Sequence, residues 1–451
     1  MQNIIAMEML SAVSENGFSL DELVFKTKEL FAEEGLAGFV ALILRLVDEK
    51  ICLDLTQGKS RKNLCTCCLQ PRYNHLDQLD RQFRTSIGKV MLRWRRLRCQ
   101  NCGRTIIPLR KFLGLESYQS KTAELEKIVT EVVSEQSYRR SSSHLDIIGN
   151  IPVPKSTAHR WVAQSDCDHI NPNQGTFKFL YADGTGYKRR PDLERNINNR
   201  GELKIALGVD KCGRIVPLGA FTDLSWEDIT NRLHRQLNNK LPLSEMLVSD
   251  SARGLAESFS FLCSSQQICH WHVVRELGFT MWRNKASKTE RNKIQRELAA
   301  VIGIELPKED FERVDDKDKA DLAEATAKAE NDIRKLITSL FDRGYNLAAY
   351  YLTRVSKNLF SYVYRWLKTG IVTPRVSMLI ERMIREIARR LKRMAFGWSP
   401  EGAAKMTRII LKRFTSAREW EKYWRKKLRI NDNVLLSIRS IKVVSPQPLG
   451  R

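Results

Sequence analysis

The chain has 451 residues, enough for about three domains at the usual ~100–200 residues each. It carries 76 Lys and Arg against 52 Asp and Glu, a formal charge of +24, which favours a polyanionic partner, nucleic acid or an acidic membrane surface. The longest apolar run, Leu36 to Leu46, is far shorter than the roughly 20 residues of a membrane helix, and no signal peptide with a basic start precedes it. The expectation is a soluble intracellular protein, in which ten cysteines serve metal binding more readily than disulfides.

Residues 1–60 read as helical, with apolar side chains at three- and four-residue intervals through Leu20, Leu23, Phe25, Leu30 and Phe31 and again from Phe39 to Leu46. Residues 61–115 hold two Cys-x-x-Cys knuckles, Cys65 with Cys68 and Cys99 with Cys102, the four thiolates of one structural Zn²⁺ in a zinc ribbon. Cys67 is an alternative to Cys68, and reduced core cysteines or a redox pair are the rival readings. Between Arg72 and Lys111 stand eleven Lys or Arg against two acids, with strand-like alternation from Lys89 to Arg95. Arg93, Arg95, Arg96 and Arg98 are the candidates there for gripping DNA phosphates.

Residues 116–170 give two helical patterns around Gly149-Asn150-Ile151-Pro152-Val153-Pro154, the second opening on Ser156-Thr157 as N-cap types. A helix-turn-helix presenting His159 and Arg160 to DNA fits this stretch, and so does an ordinary helical hairpin.

Strand signals then begin, in residues 171–272. Phe177, Phe179, Tyr181 and Asp183 alternate, a hairpin joins Leu203–Val209 to Ile215–Thr222, and a helix from Trp226 to Leu237 follows. A strand ending at Asp250, a helix from Gly254 to Leu262 and a strand from Gln267 to Trp271 complete a β-β-β-α-β-α-β order, recognisable as that of an RNase H-like α/β core. Residues 273–372 read as a charged, all-helical insertion, and 373–451 as the end of the core and basic C-terminal helices, with seventeen Lys or Arg against five acids from Arg375 to Arg429. The fold class expected is multidomain α+β: N-terminal helices, zinc ribbon, helix-turn-helix and RNase H-like core with a helical insertion. Trp398, Trp420, Tyr423 and Trp424 either stack on unpaired bases or pack between helices.

Asp is a poor strand former, so Asp183 and Asp250 at the ends of apolar, neighbouring strands suggest carboxylates gathered to hold two divalent ions, Mg²⁺ or Mn²⁺. A third carboxylate is expected on the helix opening at Ser377, where Glu381 is preferred to Glu386; the competing reading is a solvated Glu381 paired with Arg385.

At Ile268-Cys269-His270-Trp271-His272 the sequence resembles the Cys-x-x-His signature of bacterial insertion-sequence transposases and the related Mutator-like elements. The resemblance spans about Ser120 to Arg413, including Phe396-Gly397-Trp398-Ser399-Pro400-Glu401-Gly402-Ala403. It implies Asp183, Asp250 and Glu381 as catalytic acids on an RNase H-like core, with Cys269 and His272 as a signature pair whose role the sequence leaves open. It further implies a DNA transposase that cleaves transposon ends and transfers strands into target DNA, acting on double-stranded DNA as a homo-oligomer without membrane attachment, in the nucleoid-associated cytoplasm of a bacterium. A transposase-derived regulator without catalysis and a nuclease that cleaves without joining are the alternatives. The Ser377-Met378-Leu379-Ile380 lead-in to Glu381 departs from the asparagine-rich lead-in of the family.

Overall fold

The computed structural model describes residues 35–58, 65–69, 72–149, 151–170, 176–191, 199–236, 244–393 and 396–429; the apolar spacing from Leu20 to Phe31 lies outside them. The chain divides into two compact units, one drawn from both ends of the chain together with Tyr138–Ala158, the other from Val133–Ser137 and His159–Trp420. Both helices and two sheets are present, so the architecture is mixed α+β.

In the first unit, α1 (Leu36–Thr56) is followed by a long antiparallel hairpin of β1 (Tyr73–Thr85) and β2 (Gly88–Cys99), the short β3 (Thr105–Ile106) and α2 (Pro108–Phe112). The alternation in β2 buries Val90, Leu92 and Trp94 with Phe83, Leu109 and Ala37, while Lys89, Met91 and Arg93 face water. Beyond Trp94 burial moves by one residue to Leu97 and Cys99, which join Cys52, Leu55, Cys65 and Tyr73 in a second cluster.

Three helices come next: α3 (Ala123–Glu135), α4 (Tyr138–Gly149) and α5 (Lys155–Gln164). The last opens earlier than the sequence suggests. The Pro154 carbonyl accepts the Ala158 amide at 2.9 Å, so Ser156 and Thr157 sit inside the first turn instead of capping it. Proline is suited to this boundary because its fixed φ leads into a helix and no amide is wasted.

The second unit is built on five strands: β4 (Phe179–Lys188), β5 (Arg200–Val209), β6 (Ile215–Thr222), β7 (Ser244–Ser249) and β8 (Cys263–Ile268), in the order β6-β5-β4-β7-β8. The first three are antiparallel and the last two run parallel to β4. Helices α6 (Trp226–Gln236) and α7 (Leu255–Phe259) cover one face, meeting Leu180 and Ala182 of β4.

Two expectations about strand limits are corrected. Asp183 does not end β4, because the strand continues to Lys188 along β5; only the parallel pairing with β7 stops, at Ala182 opposite Ser249. The last strand ends at Ile268, not Trp271, because Cys269 turns out of the ladder as the N-cap of α8 (His270–Arg283). The signature residues therefore open a helix.

After α8 come α9 (Lys288–Val301), α10 (Asp316–Asp342), α11 (Asn346–Ser356) and α12 (Ser361–Thr369), packed through Val273, Leu277, Leu298, Ile333, Leu340, Leu352 and Trp366. The chain then returns to the sheet through α13 (Met378–Leu391), which packs on β4, and α14 (Pro400–Thr415), which packs on β5 and β6. α15 (Ala417–Leu428) follows. Between α13 and α14, Trp398 bridges Arg189 beyond the end of β4, and a Cβ at Gly397 would lie 2.5 Å from the Arg189 carbonyl oxygen, so glycine is required there. Ser399 then caps α14, accepting the Gly402 amide at 3.1 Å, with Pro400 in the first turn. Trp420 and Trp424 are buried, which settles them as packing residues. Among the described residues no helix is long and apolar enough to cross a membrane.

Leu277 is wholly buried at the centre of the helical layer. Leu277→Ala is expected to destabilise this unit by about 2–5 kcal/mol, read as a lower urea midpoint.

Candidate active site

Strand alternation puts Phe179, Tyr181 and Asp183 on the face of β4 opposite Leu180 and Ala182, the face on which α13 packs. Asp183 is the first residue past the last β4–β7 pair, and Asp250 is the first past Ser249, so the two acids follow one another across neighbouring strands. Asp183 is 6% exposed and accepts the Gly184 amide at 2.7 Å. Asp250 accepts the Ala252 amide at 3.0 Å. Burial first, and then the Asp250 charge, push the Asp183 carboxyl up to about 6; Glu381 adds to the rise while His272 and the Gly184 amide oppose it.

Glu381 reaches this place from the first turn of α13. Its helix begins at Ser377, whose hydroxyl donates to Glu381 Oε1 at 3.0 Å and lies 3.4 Å from His272 Nδ1, and whose amide donates to Cys269 Sγ at 3.3 Å. Cys269 and His272 are brought to this side by their places as N-cap and third residue of α8, one turn apart. The Cys269 amide also donates to the Ser249 carbonyl at 2.8 Å, tying the opening of α8 to the end of β7. Ligand atoms of Cys269, His272 and Glu381 lie within 4.8 Å of one another, a group able to hold a metal ion. Burial raises the Cys269 thiol, but hydrogen bonds from His272 and Ser377 outweigh it and hold the thiol below its ordinary range. Burial lowers His272, and the neighbouring Cys269 and Asp183 more than reverse this.

Glu386 lies elsewhere on α13, held by Arg389 at 2.7 Å. His270 points away from the acids, with Nε2 2.9 Å from the Leu359 carbonyl, and burial pushes it down to about 4. Ser377 carries the most contacts in the network, and sequence reasoning treated it only as a helix start; its place four residues before Glu381 was the available signal. Also unforeseen is a cleft of about 850 Å³ beside Asp250 and His272, whose walls include Arg253, Arg275, Arg283 and Arg354.

In the first unit, Cys65, Cys68, Cys99 and Cys102 bring their sulfurs within 4.8 Å of one another, with Cys65–Cys102 and Cys68–Cys99 at 3.5 Å. Gly103 at φ +71° closes the second knuckle, its amide donating to the Cys99 carbonyl at 3.0 Å. Cys67 is exposed and outside the group, so it does not replace Cys68. Amides of Cys68 and Cys67 lower the Cys65 thiol to about 6. The Arg104 amide lowers Cys102, but burial and the other sulfurs outweigh it and carry that thiol to about 12, a crowding that a bound cation would relieve.

The four arginines beside this cluster have partners inside the unit: Arg93 with Asp80, Arg95 with Glu49, Arg96 with Asp77, and Arg98 with the Gly103 carbonyl. His159 and Arg160 are exposed on α5.

No protein-family model and no curated protein matches the sequence. Among solved structures, the Drosophila P element transposase strand transfer complex aligns over 68% of this chain and 84% of its own at 14% identity, with a TM-score of 0.23. That superposition is too loose to bear on fold or activity.

Two outcomes are expected. Without divalent ions, Asp183 titrates higher in the folded chain than in the unfolded one, so its ionisation costs stability progressively from about pH 4 to about pH 6. The stability of Asp183→Asn relative to wild type should therefore rise across that window and level off above it, measured by thermal unfolding at successive pH values. Cobalt added to metal-free protein should give thiolate charge-transfer absorption that Cys99→Ser loses and Asp250→Asn keeps.

Proposed function

We propose that the chain is a DNA transposase of the two-aspartate, one-glutamate class, with Asp183, Asp250 and Glu381 as its catalytic carboxylates. The observation that carries this reading is positional: Asp183 and Asp250 are each the first residue past the last β4–β7 pair, and Glu381 stands in the first turn of α13, which packs on β4. Supporting it, the sheet order of three antiparallel strands followed by two parallel ones is that expected of an RNase H-like core, and the helices α8 to α12 stand before the helix carrying the glutamate. The arginine-walled cleft opening beside Asp250 suits a phosphodiester backbone.

The fit of the site to Mg²⁺ or Mn²⁺ lies in its donors, hard carboxylate oxygens, one of them on Asp183, whose ionisation is opposed by burial and then by the Asp250 charge. A pair of such ions supplies, when bound, polarisation of the phosphate and an activated water or 3′-hydroxyl. The chain's own contribution is placement. Asp183 is fixed by the Gly184 amide, Asp250 by the Ala252 amide, and Glu381 by Ser377. Cys65, Cys68, Cys99 and Cys102 hold a structural Zn²⁺ in this reading, in a ribbon spanning 61–115, and residues 116–170 serve as a helix-turn-helix with His159 and Arg160 towards DNA. Double-stranded DNA, as transposon end and target, is the partner, and two ends handled together call for a homo-oligomer.

The test is Mg²⁺- or Mn²⁺-dependent nicking and strand transfer on DNA carrying the sequence that flanks the gene. Asp183→Asn, Asp250→Asn and Glu381→Gln should each lose about 10²-fold or more, since metal charge stabilisation is worth several kcal/mol. Glu386→Gln should stay near wild type. Cleavage without joined products would make the chain a nuclease, and DNA binding without wild-type cleavage would make it a regulator.

A further inference from the structure

Helix α8 presents an exposed stripe that the carboxylates do not use. Trp271, Arg275, Phe279 and Trp282 recur at helical spacing, so they share one face. The three rings are 51%, 53% and 62% exposed, and the Arg275 guanidinium sits over Trp271 at 4.6 Å. Large aromatics left in water along one face mark an interaction surface. The stripe begins inside the Cys-x-x-His segment, and its Arg275 also lines the cleft beside Asp250, where Arg253, Arg275, Arg283 and Arg354 outnumber the acids Asp250 and Glu276. Tyr350, 66% exposed, faces the same cleft.

We propose that this stripe is a stacking platform for unpaired bases of a DNA strand whose phosphates lie in the arginine cleft beside Asp250. This rests on the reading of the site as one that acts on DNA, and specifies the state of the substrate: a strand opened at or near the reacting phosphate. Base faces are covered in an intact duplex, so aromatic rings gain contact only with unpaired bases. Phe279 and Trp282 stand about one helical turn apart, ~4.5 Å along the axis, and offer places for consecutive bases, with Trp271 about two turns before them and Arg275 between. Trp and Arg also anchor protein interfaces, but four guanidiniums lining the cleft that Arg275 shares with the stripe select a polyanion.

The experiment uses the full, zinc-loaded chain without added Mg²⁺ or Mn²⁺, and reads fluorescence anisotropy of labelled DNA at fixed salt. A blunt duplex is compared with the same duplex bearing an unpaired thymidine tail. Wild type should prefer the tailed DNA. The double variant Phe279→Ala with Trp282→Ala should bind tailed DNA about tenfold or more weakly and blunt DNA almost as before, while Trp282→Phe keeps the preference. Both positions are exposed, and circular dichroism checks that the variants fold. Equal wild-type affinity for the two DNAs, or equal losses on both, would overturn the proposal. So would a double variant that leaves both affinities unchanged and sediments as a smaller species, which would make the stripe a contact between copies. Because binding is read without catalytic ions, an absence of cleavage would defeat the transposase reading and leave this result standing, whereas cleavage without tail preference would defeat the stripe alone.

Discussion

The proposed site depends on one constraint: Asp183 is buried beside Asp250 at the point where the central strand β4 and its neighbour β7 cease to pair. β4 runs five residues beyond Asp183, whereas its parallel neighbour β7 stops at Ser249, leaving Asp183 and Asp250 as the first residues past their shared pairing. A carboxylate that is 6% exposed, with a second acid beside it and a third on the helix packed against β4, costs free energy whenever it ionises. A fold optimised for stability alone would place an apolar residue there. On the proposed reading that unfavourable charge is what draws divalent ions into the site.

The third acid depends on a different device. Glu381 is separated from Asp250 by six helices, and a small tilt of α13 would carry it away from the aspartates. Ser377 prevents this by joining Cys269, His272 and Glu381 in one network, and the Cys269 amide ties that network to the end of β7. The Cys-x-x-His pair thus has a physical reason for its spacing: N-cap and third helical position stand one turn apart, facing the opening of α13.

Much of this was legible because it is local. Alternation through Phe177–Asp183 and Leu203–Val209, the Asp210–Gly213 turn and the two cysteine knuckles are short-range patterns, and the strands, the hairpin and the four-sulfur cluster follow them. Strand limits were less legible because they depend on neighbours: β4 passes Asp183 only because β5 is there to pair with it, and β8 stops at Ile268 because Cys269 bonds to Ser249 and turns into α8. The pairing of Arg93, Arg95 and Arg96 was equally out of reach of the sequence, because their acids come from β1 and α1. The arginine cleft gathers residues from positions 253 to 354, and no window of sequence contains it.

The most direct test of the central claim is the number and mutual spacing of Mn²⁺ ions held by the zinc-loaded chain, read by electron paramagnetic resonance. Wild type with DNA should show a spin-coupled pair, as expected for ions about 3.5–4 Å apart, and Asp250→Asn should abolish the coupling. Uncoupled Mn²⁺ in wild type, or a coupled pair that survives in Asp183→Asn, Asp250→Asn and Glu381→Gln alike, would contradict the account.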